Sequence, residues 1–97
     1  MTEVKNIKVS KKWNAMVQFI IKNKLFKSGE ILTKRALEER LRKRNLFNQF
    51  LKLYEQTGVD NGWSFFTYSN RFTSFTKQLI KIGYCERVNS IKYLVLQ

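Results

Sequence analysis

From Ser69 onward the chain carries its clearest pattern. In SNRFTSFTKQLIKIG the bulky apolar residues include Phe72, Phe75, Leu79 and Ile82, at intervals of three, four and three. That spacing predicts an α-helix with one buried stripe. Ser69 is placed to cap it, and Gly83 ends it. The closing segment is rich in β-branched and aromatic residues. It predicts a strand over Tyr84–Val88, a two-residue turn at Asn89-Ser90 and a return strand over Ile91–Leu96. In that register Val88 faces Ile91, and Arg87 faces Lys92.

The preceding chain supplies further amphipathic segments. Trp13, Met16, Val17, Ile20 and Ile21 recur at helical spacing and predict a helix over Lys11–Lys24, with Ser10 as its cap. Residues 1–9 are polar and read as a loose lead-in, with a short strand at Ile7–Val9. Ser28-Gly29 breaks the pattern, and Glu30–Leu32 suits a strand stub. Thr33 is placed to cap a helix over Lys34–Arg44 that buries Ala36, Leu37 and Leu41. Glu38 and Arg42 stand four apart in the favourable order. Asn45–Gln56 brings Leu46, Phe47, Phe50, Leu51 and Tyr54 to one face. It either prolongs the preceding helix or starts anew with Asn45 as cap. Gly58 marks a stop, and Val59-Asp60-Asn61-Gly62 is turn chemistry. WSFFTY, residues 63–68, fits a strand, a helical turn or a packed loop equally well.

Charge changes the picture from a generic small domain to one with a partner. The 97 residues hold 19 Lys and Arg against 7 Asp and Glu, a net charge of +12. Apolar content of 43%, with 14% aromatic, is enough for one packed core despite the charge. So large an imbalance repels itself in a compact chain, which argues for a polyanionic partner. The basic groups are weighted forward: residues 1–44 hold 13 cations and 4 acids, residues 45–97 only 6 and 3. One cysteine, Cys85, precludes an intrachain disulfide and suits a reducing, intracellular setting. The N-terminus lacks the apolar run of a signal peptide, and Trp13–Ile21 is too short to span a bilayer.

Catalytic chemistry finds little foothold. Without histidine and with a single cysteine, neither a Cys/His nucleophile pair nor an ordinary zinc site can be assembled. Glu38 and Glu39 point to different sides of their helix, and the four glycines form no phosphate loop. The expectation is a protein that is not an enzyme, with no catalytic residues, no cofactor, no metal, no membrane association and no small-molecule substrate.

Binding chemistry is better represented. At about 100° per residue, Asn70, Thr73, Ser74, Lys77 and Lys81 lie opposite the Phe72/Phe75/Leu79/Ile82 stripe, with Arg71 and Gln78 flanking. Short hydrogen-bonding groups at the start and cations further along are what a major-groove helix needs. Asn70 and Gln78 suit adenine, and Arg71 suits guanine. Arg87 opposite Lys92 would be an unfavourable like-charge pair that a phosphate relieves. Lys34, Arg35, Arg40, Arg42, Lys43 and Arg44 make a basic run, of which Arg42, Lys43 and Arg44 wrap a helix with three consecutive cations and are candidates for phosphate contact. Lys8, Lys11 and Lys12 oppose the dipole at the start of their helix. Trp13 and Trp63 are assigned to the core. Phe65, Phe66 and Tyr68 are core by default, and are the stacking groups if the partner is single-stranded.

The order of segments, and above all SNRFTSFTKQLIKIGYCERVNSIKYLVL, resembles the winged helix-turn-helix superfamily of DNA-binding proteins. Its helix of polar start, spaced apolar stripe and Leu-x-x-x-Gly-Tyr exit runs into a hairpin, as in small regulators of viruses and plasmids. The resemblance spans nearly the whole chain and rests on polarity rather than on invariant residues. It implies one α+β domain over residues 1–97, with three to four helices and a C-terminal β-hairpin wing. Asn70, Arg71, Ser74, Lys77 and Lys81 match groove-facing positions, and Arg87 and Lys92 match wing positions. It implies a sequence-preferring protein of double-stranded DNA, a transcriptional regulator, in which a homodimer would use the first helix or N-terminal segment. Two alternatives stay open: a non-specific DNA- or RNA-binding or packaging protein, and an interaction module of a replication or virion complex. The chain departs from the pattern in having both Lys34–Arg44 and Asn45–Gln56 ahead of the reading helix.

Overall fold

The computed structural model describes residues 11–97, so Lys8, the strand expected at Ile7–Val9 and the cap expected of Ser10 lie outside the described residues. The described chain is α+β. It runs α1 (Asn14–Lys22), β1 (Ile31–Leu32), α2 (Lys34–Lys43), α3 (Phe47–Glu55), α4 (Ser64–Thr67), α5 (Ser69–Lys81), β2 (Cys85–Arg87) and β3 (Tyr93–Val95). The strands form one antiparallel sheet in the order β1-β3-β2. The stub before α2 therefore pairs with the terminal hairpin, Ile31 opposite Leu94 and Leu32 opposite Tyr93.

Helix ends follow local chemistry. Thr33, in extended backbone, accepts the Ala36 N–H at 3.0 Å and caps α2. At the other end Asn45 takes a φ of +57°. Its N–H donates to the Arg42 carbonyl, and the Leu46 N–H reaches back to the Leu41 carbonyl at 2.8 Å. This is a Schellman stop, so Asn45 terminates α2 rather than capping α3, and a new helix begins. Gly83, at φ +79°, ends α5 the same way, with Tyr84 N–H on the Leu79 carbonyl.

Several boundaries depart from the sequence reading. α1 begins at Asn14, after Trp13, with no side-chain cap. Ser69 does not cap α5. Tyr68 occupies that position in extended backbone, and Ser69 is already helical, because a single residue joins α4 to α5. WSFFTY resolves into the short helix α4, which brings the described helices to five instead of the expected three to four.

The core is an aromatic knot. Phe50 of α3 meets Phe65 of α4 at 5.2 Å and Phe75 of α5 at 6.0 Å, both edge to face. Trp13 lies 6.0 Å from both Tyr54 and Phe75, and Phe72 meets Tyr93 of the sheet at 6.0 Å. Edge-to-face pairs add about 0.5–1.5 kcal/mol each beyond the burial of their area. With Phe19 of α1 6.0 Å from Phe50, these contacts lock α1, α3, α4, α5 and β3 together. Trp13 is buried as expected. Trp63 is not: it is 54% exposed, because α4 turns Phe65 inward and leaves Trp63 outside. Phe66 is partly buried against the core, and Tyr68 is exposed.

Candidate nucleic-acid interface

α5 divides cleanly into two faces. Phe72, Phe75, Thr76 and Leu79 are buried. Asn70, Ser74, Lys77 and Lys81 form an exposed strip on the opposite side, with Thr73 and Gln78 half-exposed at its borders. The split follows from the helical period, since the aromatic stripe can reach the knot only by turning the polar strip outward. The hydroxyls of Thr73 and Ser74 donate to the carbonyls four residues back, Ser69 at 3.0 Å and Asn70 at 2.9 Å. Both remain available as acceptors.

Arg71 is placed differently from its neighbours. It leans toward the turn before α4 and pairs with Asp60 at 3.2 Å, with its guanidinium 5.9 Å from the Tyr68 ring centre. The Asn61 N–H and Arg71 together hold the Asp60 carboxyl below its ordinary value. Arg71 is thus committed to the protein's own chain, eleven residues back in sequence.

The three consecutive cations at the end of α2 are also largely engaged. Arg42 pairs with Glu38 at 3.0 Å and lies 3.8 Å over the Phe47 ring. Arg44 donates to the Asn23 carbonyl at 2.6 Å, at the exit of α1. Lys43 alone of the three has no partner among the described residues and is exposed. Arg40 pairs with Glu30 at 2.7 Å, donates to the Leu25 carbonyl and stacks 4.3 Å over Phe26. The Arg40 guanidinium and the Lys27 N–H hold the Glu30 carboxyl at about 2. Much of the basic run is therefore internal bracing.

The hairpin has a different register from the one expected. Arg87 stands opposite Tyr93, not Lys92, and Glu86 opposite Leu94. The cause is Asn89. Its side-chain oxygen accepts the N–H groups of Ile91 and Lys92 at 2.9 and 3.0 Å, while Val88 N–H donates to the Lys92 carbonyl at 2.9 Å. The loop is thus three residues, Asn89 to Ile91. A tight two-residue turn of the I′ type needs positive φ at both positions, and neither Asn89 nor Ser90 has it. The cross-strand clash of Arg87 with Lys92 therefore does not exist, and both cations stay exposed beside the loop.

The tip of this hairpin returns to the start of α5. Thr33, Lys34 and Arg35 at the head of α2, Ser69, Phe72 and Thr73 at the head of α5, and Ser90 and Ile91 of the loop line one open cleft. Lys34 and Arg35 thus stand near the start of α5. α2 spans ten residues, about 15 Å, so Arg42–Arg44 lie at its far end. No acid occupies the first turn of α2 or α5 to neutralise the positive helix end. Along the sequence Lys34 and Arg35 read only as part of a basic run. Only the fold separates the two ends of that run.

Among the described residues, ion pairs engage Arg35, Arg40, Arg42 and Arg71. Lys77, Lys81, Arg87 and Lys92 have none. Among the described residues, no three His, Cys, Asp or Glu side chains converge on a possible metal site, and no helix is long and apolar enough to cross a membrane. Burial pushes the lone thiol of Cys85 up to about 12, so it remains protonated and unreactive at neutral pH. Comparison with protein-family models, curated proteins and solved structures finds no match. The functional reading therefore rests on this geometry.

Proposed function

We propose that the chain is a winged helix-turn-helix protein that binds double-stranded DNA with sequence preference and serves as a transcriptional regulator. α5 enters the major groove and the β2–β3 hairpin acts as the wing. The observation that carries the reading is the contrast between arginines and lysines. Arg40, Arg42, Arg44 and Arg71 are spent on the protein's own acids, rings and carbonyls, whereas Lys77 and Lys81, without an ion pair among the described residues, project from one face of a helix whose opposite face is anchored in the core. An exposed cationic strip with Asn70 and Ser74 at its start suits phosphates and base edges together.

The strand order supports the same class. β1 directly precedes α2 and pairs with the final strand of the hairpin. On that reading α2 supports α5, and α3 with α4 is inserted between the supporting and the reading helix. Thr73 borders the groove strip, with Gln78 on its other edge. Lys34 and Arg35 join Arg87 and Lys92 as phosphate contacts, and Arg71 acts by holding the α4–α5 junction to Asp60 rather than by reading a base.

A second reading has one observation behind it. From Thr57 to Asn70 the only charged residue is Asp60, and Trp63 and Tyr68 are exposed there with ring centres 5.9 Å apart. That surface suits a protein rather than a polyanion, as an interaction module would require.

Selection of bound sequences from random duplex DNA tests the proposal. A short consensus that loses one position in Asn70→Ala supports it. Recovery without consensus assigns the chain to non-specific packaging, and no recovery at moderate salt assigns it to protein interaction.

A further inference from the structure

A chain with a net charge of +12 still has one stretch with no net charge. Between Glu55 and Lys77 the only charged residues are Asp60 and Arg71, and these pair at 3.2 Å. Trp63 and Tyr68, the exposed aromatics among the described residues, both fall in this stretch. Contacts join them into one surface. Their ring centres are 5.9 Å apart, and the Arg71 guanidinium lies 5.9 Å from the Tyr68 ring centre. The exposed Thr67, one helical turn on from Trp63, donates its hydroxyl to the Trp63 carbonyl at 3.0 Å. This face lies along the Arg71 edge of α5, whereas the cleft lined by Lys34, Arg35 and Ile91 lies along the Thr73 edge.

Repulsion narrows the choice of occupant. Two copies of so cationic a chain repel wherever their lysines and arginines meet, but on this face neither copy presents a net charge. An acidic partner is drawn to the cationic surface elsewhere and gains no attraction here. A two-fold contact must also be self-complementary. This face carries a guanidinium beside two aromatic rings, so each copy offers the cation that the other's exposed ring can receive. Trp, Tyr and Arg are also the residue types that dominate interface energies. We infer that the chain self-associates through a two-fold contact at the α4–α5 junction, with Trp63 at its centre. This moves the homodimer contact from the first helix or N-terminal segment, where the resemblance put it, to α4. The face is small beside the roughly 20–30 residues a side of a standard interface, so the dimer is micromolar rather than nanomolar.

Sedimentation equilibrium of the chain alone, at about 10–500 µM and at about 50 and 500 mM salt, tests this. With rising concentration the wild type moves from the mass of one 11.7 kDa chain toward that of two. Salt screens the repulsion between the copies and leaves the apolar contact in place, so the dimer is tighter at high salt, the reverse of DNA binding. Trp63→Lys removes the central ring and adds a cation to each side of the contact, and weakens association at least about thirtyfold. Thr67→Lys keeps the ring, weakens association at low salt and recovers at high salt. Ile91→Lys adds the same charge at an exposed apolar site off this face and leaves association close to wild type. Thermal midpoints identify any variant that has unfolded, and Thr67→Lys carries the test if Trp63→Lys does not fold. A wild type that stays monomeric throughout, a dimer that weakens with salt, or an undiminished dimer in either folded α4 variant overturns the inference. An equal loss in Ile91→Lys overturns it too. Each of these outcomes leaves DNA binding standing, and a failure to bind DNA leaves the dimer standing.

Discussion

Replacing Lys77 with alanine removes from the middle of the exposed strip of α5 a cation that has no ion pair among the described residues, and touches nothing in the core. Each phosphate neutralised by a protein cation adds about 0.9 to the log–log slope of affinity against salt. If Lys77, Lys81, Arg87 and Lys92 each contact one phosphate, the wild-type slope from these four is about −3.6. Raising salt fourfold, from about 50 to 200 mM, then weakens binding roughly 150-fold. Lys77→Ala reduces the slope to about −2.7 and the loss to roughly 40-fold. Adding Lys81→Ala brings them to about −1.8 and roughly 12-fold. Fluorescence anisotropy with a labelled duplex at five or six salt concentrations gives the slopes. Lys22→Ala, an exposed cation in the last turn of α1 and outside the proposed interface, is the control and leaves the slope unchanged. Because alanine is the best helix former and both α5 sites are exposed, stability should move by less than about 0.5 kcal/mol. Slopes unchanged in both α5 variants, or a fall in Lys22→Ala equal to theirs, would refute the assignment of this face to DNA.

Other outcomes follow from the packing and the ionisations. Phe50→Ala, which removes the ring that meets both Phe65 and Phe75, should cost about 3–5 kcal/mol in urea unfolding. A loss under about 1 kcal/mol would mean that the helices do not share this core. Tyr84→Phe should raise stability by up to about 1–3 kcal/mol, because the Tyr84 hydroxyl is buried with no hydrogen-bond partner among the described residues; destabilisation would reveal a partner for that oxygen. Glu30 makes an acid-side prediction. Its carboxyl falls from about 4.5 to about 2 on folding, so its contribution is complete above pH 4.5 and drains away as pH drops toward 2. Glu30→Gln should flatten that part of the pH–stability curve, and an identical acid limb in the variant would contradict the Arg40 pairing.

Features that depend on neighbours along the chain are legible in the sequence itself. The stripe of α5 follows from the helical period, the Thr33 cap from one side-chain oxygen and a nearby N–H, and the Gly83 stop from freedom at positive φ. The pairing of Glu38 with Arg42 is equally local. The aromatic stretch ahead of α5 is not legible in that way, because nearly every residue in it is apolar or small and no period selects an inward face. Packing chooses: Phe65 enters the knot, and Trp63 is left outside. Asn89 reads as half of a two-residue turn. Its side chain instead takes two backbone N–H groups, and that choice moves the register by one and separates Arg87 from Lys92.

The distribution of charge shows the division most clearly. Sequence alone determined how many cations there are, that they outnumber acids, and that Lys77 and Lys81 lie opposite the apolar stripe. Which cations are free was decided in three dimensions. Arg40 found Glu30 ten residues away, Arg71 found Asp60 eleven away, and Arg44 found the Asn23 carbonyl twenty-one away. A helix carries its own periodicity, but an ion pair between distant residues exists only once the core has brought its partners together.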